Sequence, residues 1–453
     1  MYLLRTPIRD YAWGSATLLA EFQDRAPTGR PEAEMWMGAH PSAPAGAVPA
    51  SDPESLPVPL DELLASDPEA LLGEAARFGR LPYLVKLLAA GRPLSIQAHP
   101  TLDQAQAGFA AEEAGGVPAS APHRNYKDDN HKPEMVVALT PFAALCGFRS
   151  AVDAGTSFSR LAAVLAENPE LPEDSGLSQG SGPDAGRSGP ADTPARAVAG
   201  YAERLLGSGD GGDPAAEGAA IESVFCELLD PAGNWASGTW VAAVVAALAK
   251  APRVLDEDLN LATAVGIAGH YPRDPGVLVS VLLHRLDLAP GQAIHLPAGN
   301  VHAYLYGLGV EVMAASDNVL RGGLTPKHVD IPELREVVAF ESVPVPYCTP
   351  LSDGAGHLVF RPPFEEFQVE RLDLPAAEGR TLTARGPVIA VCTAGRVRLS
   401  AGPDTAELAP GESVFLGADE PAATVHQAHP ADQTHPTDQD EAAAGTLFAV
   451  TLP

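Results

Sequence analysis

The sequence predicts a mainly β protein with a helical insertion, in which two β bodies of sandwich or barrel type flank an α-helical domain. Three observations carry this. Short β-rich runs punctuated by Gly and Pro fill residues 1–150 and recur after residue 271. Residues 151–270 change to helical periodicity. Length points the same way, because 453 residues allow two or three domains. The boundaries expected are 1–150 and 271–339 for a first β body split by the insertion, 151–270 for the helices, and 340–453 for a second β body.

Each element follows in order. EMWMGAHPSAP and RPLSIQAHP read as strands and turns, with one helical stretch over 60–78. Helical spacing appears at 159–165, 197–206, 219–229 and 240–249. A tract near 168–196, rich in Gly, Ser, Pro and Asp, has too few large apolar residues to build a core and is expected to be disordered. Strands are expected to resume near Val277, where VLVSVLLHRLDLAPGQAIHLPAGNVHAYL reads as strand, Pro-Gly turn, strand, turn, strand. FQVERLDL, PVIAVCTAG, RVRLSAG and ESVFLGAD continue the β pattern. A second polar tract with His426, His429 and His435 precedes the final strand TLFAVTLP. Pro and Asp interrupt that tract, so a solvated loop is expected there.

Composition excludes several functions. Acidic residues outnumber basic ones 58 to 29, giving a net charge of -29 that repels phosphate backbones and argues against nucleic acid. Cys146, Cys226, Cys348 and Cys392 lie far apart with no CxxC pair, which argues against a disulfide framework and a cysteine zinc site. No apolar run approaches membrane-spanning length, and MYLLRTPIRDYAWGS meets charge at Arg5. A cytoplasmic protein with no membrane partner is expected.

Chemistry concentrates in a few segments. Gly291 to His302 has the spacing G-x5-P-x-G-x2-H, which resembles the second motif of cupins, small β-barrels that often hold a metal. Pro297 to Asn300 would turn the chain and His302 would start the next strand facing inward. Tyr306 stands where the motif usually has a later Asn. Gln97 and His99 are two residues apart, as are Lys132 and Glu134, so on strands each pair shares a face. Gln97, His99, Glu134 and His302 form a ligand set of two nitrogens and two oxygens, suited to Zn2+ with an open position. Ligand type alone leaves Cu, Ni, Mn and Fe(II) open. Further along, Pro410-Gly411-ESVFL-Gly417 has the start of the same pattern but lacks its Pro and His, so the second body is expected to be a degenerate cupin without metal.

YAWGS, EMWMGAHPSAP, LPYLVKLL, PLSIQAHP, NHKPEM and LPAGNVHAYLYGLGVEVMAASDNVLRGGLTPKHVD together resemble the type I phosphomannose isomerases. The resemblance covers most of 1–150 and 275–335, and it implies two cupin-like jelly-roll domains plus helices. It implies one Zn2+ per chain on Gln97, His99, Glu134 and His302. It also implies interconversion of mannose 6-phosphate and fructose 6-phosphate, feeding GDP-mannose supply, by a monomer acting on a small sugar phosphate.

Moving a proton between C1 and C2 needs an acid/base, a stabiliser of oxyanion charge and a cation for phosphate. Arg321 is the expected charge stabiliser. Lys132, Glu311, Asp317, His131 and a bound water are the candidates for moving the proton. The resemblance places Lys86 in the pocket, with Lys327, Tyr304, Ser95 and Trp13 as further substrate contacts. Trp36 is expected in the core and His40 in a structural role. Two other functions fit a cupin: an Fe(II) dioxygenase and a non-catalytic sugar-binding protein. Gln97 and the cations Lys86, Lys132, Arg321 and Lys327 argue against the first. The intact ligand set argues against the second.

Overall fold

The computed structural model describes residues 1–168, 193–209, 212–374, 379–382, 386–428 and 444–453. Nearly all of the 168–196 tract, and His429 and His435 of the second polar tract, lie outside the described residues.

The first β body is a ten-stranded antiparallel sheet whose trunk is the strand His302–Ala314. Near its start this strand pairs with Phe142–Phe148 and Gln97–Ala98. Towards its end it pairs with Tyr83–Ala90 and Glu134–Ala138. The change of partners falls beside a register shift between Tyr304 and Tyr306, and beside Gly307. Gly307 has φ 124°, and a Cβ there would sit 2.8 Å from the Pro141 carbonyl oxygen, so only glycine lets the strand bend here.

Alternation divides the central strands into two faces. Glu34 and Trp36, Lys86 and Leu88, Glu134, and Glu311 face one cavity. Met35, Met37, Tyr83, Val85, Leu87, Met135, Val137, Val310 and Val312 face the other way. There they pack on Phe360, Phe367, Val369, Ile389, Phe415, Phe448 and Val450 of the C-terminal body. Each such large apolar side chain contributes roughly 1.5–3 kcal/mol on burial. The back of the first body is therefore core, and only its front can carry polar chemistry. Tyr83 ties the two bodies further, its hydroxyl lying 2.7 Å from the Pro387 carbonyl and 2.9 Å from that of Val450.

The C-terminal body is a sandwich of a nine-stranded and a four-stranded sheet around an apolar core. The nine-stranded sheet includes Tyr2–Arg5, Gly46–Pro49 and Val58–Pro59, with Tyr2 opposite Phe415. The expected span 1–150 thus contributes strands to both bodies. The chain leaves and re-enters the first body, and no local pattern announces pairing across 400 residues.

The helical layer runs from Ala151–Glu167 to Gly276–Val279 and shares one core with Leu145, Val301 and Leu320 of the first body. Strands resume at Leu283, not near Val277, because residues 276–282 are helical. That run is buried on all sides, where periodicity cannot separate helix from strand. The expected helix at 60–78 is three short ones, Leu60–Ser66, Pro68–Leu72 and the 3-10 turn Gly73–Phe78. Asp67 breaks it by capping Ala70, ahead of a proline at the first helical position. A further helix, Leu102–Ala114, stands where strands and turns were expected, started by a capping box between Thr101 and Gln104. No helix among the described residues is long and apolar enough to cross a membrane.

Candidate metal centre and substrate cavity

Strand geometry brings His99, Glu134 and His302 together, with one ligand atom from each lying within 4.8 Å of the others. All three are buried. The ring orientations are fixed from behind. His99 Nδ1 lies 2.7 Å from the Asn318 carbonyl and His302 Nδ1 lies 3.2 Å from that of Asn300. Each Nδ1–H donates, leaving the Nε2 lone pairs toward Glu134. His99 Nε2 is buried without a hydrogen bond, although Glu134 Oε1 is 3.3 Å away. An orphaned imidazole nitrogen aimed at a carboxylate and a second imidazole is the donor arrangement a divalent metal requires. Gln97 lines the adjoining cavity directly across the ladder from His302, and its amide N–H donates to Ser95 Oγ at 3.1 Å.

Burial pushes the His99 imidazole down to about 4, so it stays neutral as a ligand must. Burial pushes the Glu134 carboxyl up. The Lys132 ammonium at 2.9 Å and the two imidazoles outweigh this and hold it well below the usual carboxylate range.

The cavity beside this cluster has a volume of about 600 Å3. Lys86, Lys132, Ser95, Trp13, Tyr304, Glu311, Asp317, Arg321 and Lys327 all line it. Four of its cations fall into two groups. Lys86 and Lys132 are paired, Lys86 with Glu34 at 3.2 Å and Glu311 at 3.0 Å, and Lys132 with Glu134. Arg321 and Lys327 have no side-chain hydrogen bond or ion pair among the described residues. Burial lowers the pKa of both, and for Lys327 the neighbouring Arg321 and Lys127 lower it further. Unpaired cations crowded together at the rim of a cavity call for an anion. Burial also raises the Glu311 pKa, against the opposing pull of Lys86.

One expectation changes. His131 does not line the cavity; its Nε2 lies 2.5 Å from Glu366 Oε1 in the C-terminal body. Lys132 and Glu134 line the cavity, while His131, ahead of the strand Glu134–Ala138, is held by Glu366. Trp36 is buried with Leu84 and Met313 as expected, and it also forms a cavity wall, with its ring centroid 5.3 Å from Lys86 Nζ. His40 contacts Asp317 at 3.4 Å and lowers its pKa. Arg92, Lys127 and Glu34 line the cavity without having been signalled by any motif; for Glu34 the i, i+2 relation to Trp36 is a usable signal.

The family described as phosphomannose isomerase type I, catalytic domain, matches residues 1–151. The mannose-6-phosphate isomerase of Escherichia coli is 38% identical over 432 residues, covering 94% of this chain and 97% of the relative. This chain belongs to the type I phosphomannose isomerases. A family member from Aspergillus fumigatus is 30% identical over 462 residues, 92% of this chain and 91% of its own. Among solved structures, phosphomannose isomerase family members align over 100% of this chain and 99% of theirs. One is mannose 6-phosphate isomerase from Salmonella typhimurium bound to fructose 6-phosphate and zinc, with 33% identity and a TM-score of 0.78. Another is a zinc-bound mannose 6-phosphate isomerase with the same identity and TM-score.

Proposed function

We propose that this chain interconverts mannose 6-phosphate and fructose 6-phosphate, with one Zn2+ held by Gln97, His99, Glu134 and His302. The observation that carries this reading is a single cavity joining the His99–Glu134–His302 cluster to the unpaired cations Arg321 and Lys327. The bound metal would supply Lewis-acid polarisation of the sugar oxygens. Arg321 offers its planar fork of donors to charge developing at those oxygens as the enediol-like intermediate forms. Lys327 takes the phosphate. Tyr304, Trp13 and Ser95 shape the sugar site. Lys132, Glu311 and Asp317 are the groups lining the cavity that can carry the proton between C1 and C2, and His131 drops out of that role. Glu311 suits it because burial raises its pKa against the pull of Lys86, towards the range in which a carboxyl group can both take and give a proton. The substrate is a small sugar phosphate, and we place the enzyme in the cytoplasm as a monomer.

Chelated protein, the same protein reloaded with zinc, and His302→Ala offered the same zinc should be assayed with mannose 6-phosphate. Turnover should vanish on chelation, return with zinc and stay absent in the variant. Full turnover in metal-free protein, or none in zinc-loaded protein, refutes the reading.

A further inference from the structure

Glu34 stands outside the metal cluster, on the strand Glu34–Met37, yet both its carboxylate oxygens are engaged at the cavity wall. Oε1 accepts from Lys86 Nζ at 3.2 Å, and Oε2 accepts from Trp36 Nε1 at 2.8 Å. Lys86 reaches Glu311 Oε2 at 3.0 Å on its other side. Glu34, Lys86 and Glu311 are 5%, 6% and 3% exposed, so water does not solvate this group. Glu311 alone would neutralise the lysine. A second buried carboxylate carries a desolvation cost, and neutrality does not require it. What it adds is direction. An ammonium has three N–H bonds on a flexible stem, and two carboxylates on different strands fix two of them. The third is then aimed, and Lys86 lines the cavity.

We propose that Glu34 is a positioning residue: it holds Lys86 with one N–H presented to the sugar and sets the Trp36 ring as the wall beside it. Glu34 touches no reacting atom and acts through Lys86. This rests on the isomerase reading above.

The test is a double-mutant cycle on the zinc-loaded full chain: Glu34→Gln, Lys86→Met, and the two together. Glu34→Gln keeps the shape but removes the charge and leaves one acceptor oxygen where Lys86 and Trp36 use two. It should lose kcat about 10- to 100-fold, the range typical of residues that orient a functional group from behind, with KM and zinc content near those of the parent. The double variant should be no slower than Lys86→Met alone, because residues acting as one unit do not have multiplying losses. Losses that multiply, or a Glu34→Gln kcat equal to the parent's, overturn the proposal. If Glu34→Gln does not fold, Glu34→Asp replaces it in the same cycle, with the same outcomes decisive. A parent enzyme inactive on mannose 6-phosphate overturns the isomerase reading and this proposal together, whereas an active parent with multiplying losses overturns this proposal alone.

Discussion

At residues 289–292 and 409–412 the chain makes the same turn, once in each β body. Gly291 has φ 88° and Gly411 φ 86°. The Ala289 N–H donates to Gln292 Oε1 and the Ala409 N–H to Glu412 Oε2, both at 2.8 Å. Strands Ala293–Leu296 and Ser413–Leu416 follow. Then the two diverge. Eleven residues after Gly291 stands His302, and eleven after Gly411 stands Ala422. The first body keeps ionisable side chains around an open cavity. The second fills its interior with Val388, Ala390, Cys392, Leu399, Val414 and their neighbours. The turn is thus a device of the scaffold, and the chemistry belongs to the side chains that alternate inward.

Substitutions at four positions break or sharpen this contrast. His302→Ala makes the first body resemble the second and has the largest expected effect. Zinc and turnover should fall together, by more than the roughly 10- to 100-fold seen on changing a residue behind a metal ligand. Metal analysis beside an isomerase assay checks it, and normal zinc content in the variant would contradict it. Arg321→Ala leaves the ligands alone. It should lose kcat by on the order of 100-fold or more with zinc retained, and Arg321→Lys should recover little. A loss confined to KM would make Arg321 a ground-state phosphate ligand instead. Phe415→Ala acts on the other body. It should destabilise the fold by about 3–5 kcal/mol in a denaturant titration while the folded fraction turns over normally. The smallest effect is expected from Ala422→His, which restores the missing residue without its partners. Zinc should remain at one per chain, and a second equivalent would show that the turn alone builds a site.

Much of the metal cluster is legible in the sequence because residues two apart in an extended run share a face. Gln97 and His99, and Lys132 and Glu134, have that spacing, although His99 and Lys132 lie just outside the strands Gln97–Ala98 and Glu134–Ala138. Spacing alone does not exclude His131, whose ring is held by Glu366 of the C-terminal body. Glu34 is harder to find, since EMWM reads as an apolar strand and its partner Lys86 is 52 residues away. The helix Leu102–Ala114 is masked by weak contrast between its faces, although TLDQ at its start holds a capping box. The helical run at 276–282 is uniformly apolar and so carries no period to read. The exchange of strands between the two bodies has no local signature at all.

The back of the cavity-lining sheet rests on strands that the ribosome makes last. Tyr2 pairs with Phe415, and Val85 and Val312 lie against Phe448 and Val450. Until residues near 450 emerge, the nascent first body has an uncovered apolar face and its opening strand has no neighbour on one side. Contacts of such sequence separation form slowly, and the interval exposes the chain to aggregation. The C-terminal body therefore governs when the zinc-bearing one can finish folding, and a chain truncated before residue 386 should be captured by chaperones even though every ligand and cavity residue has already been synthesised.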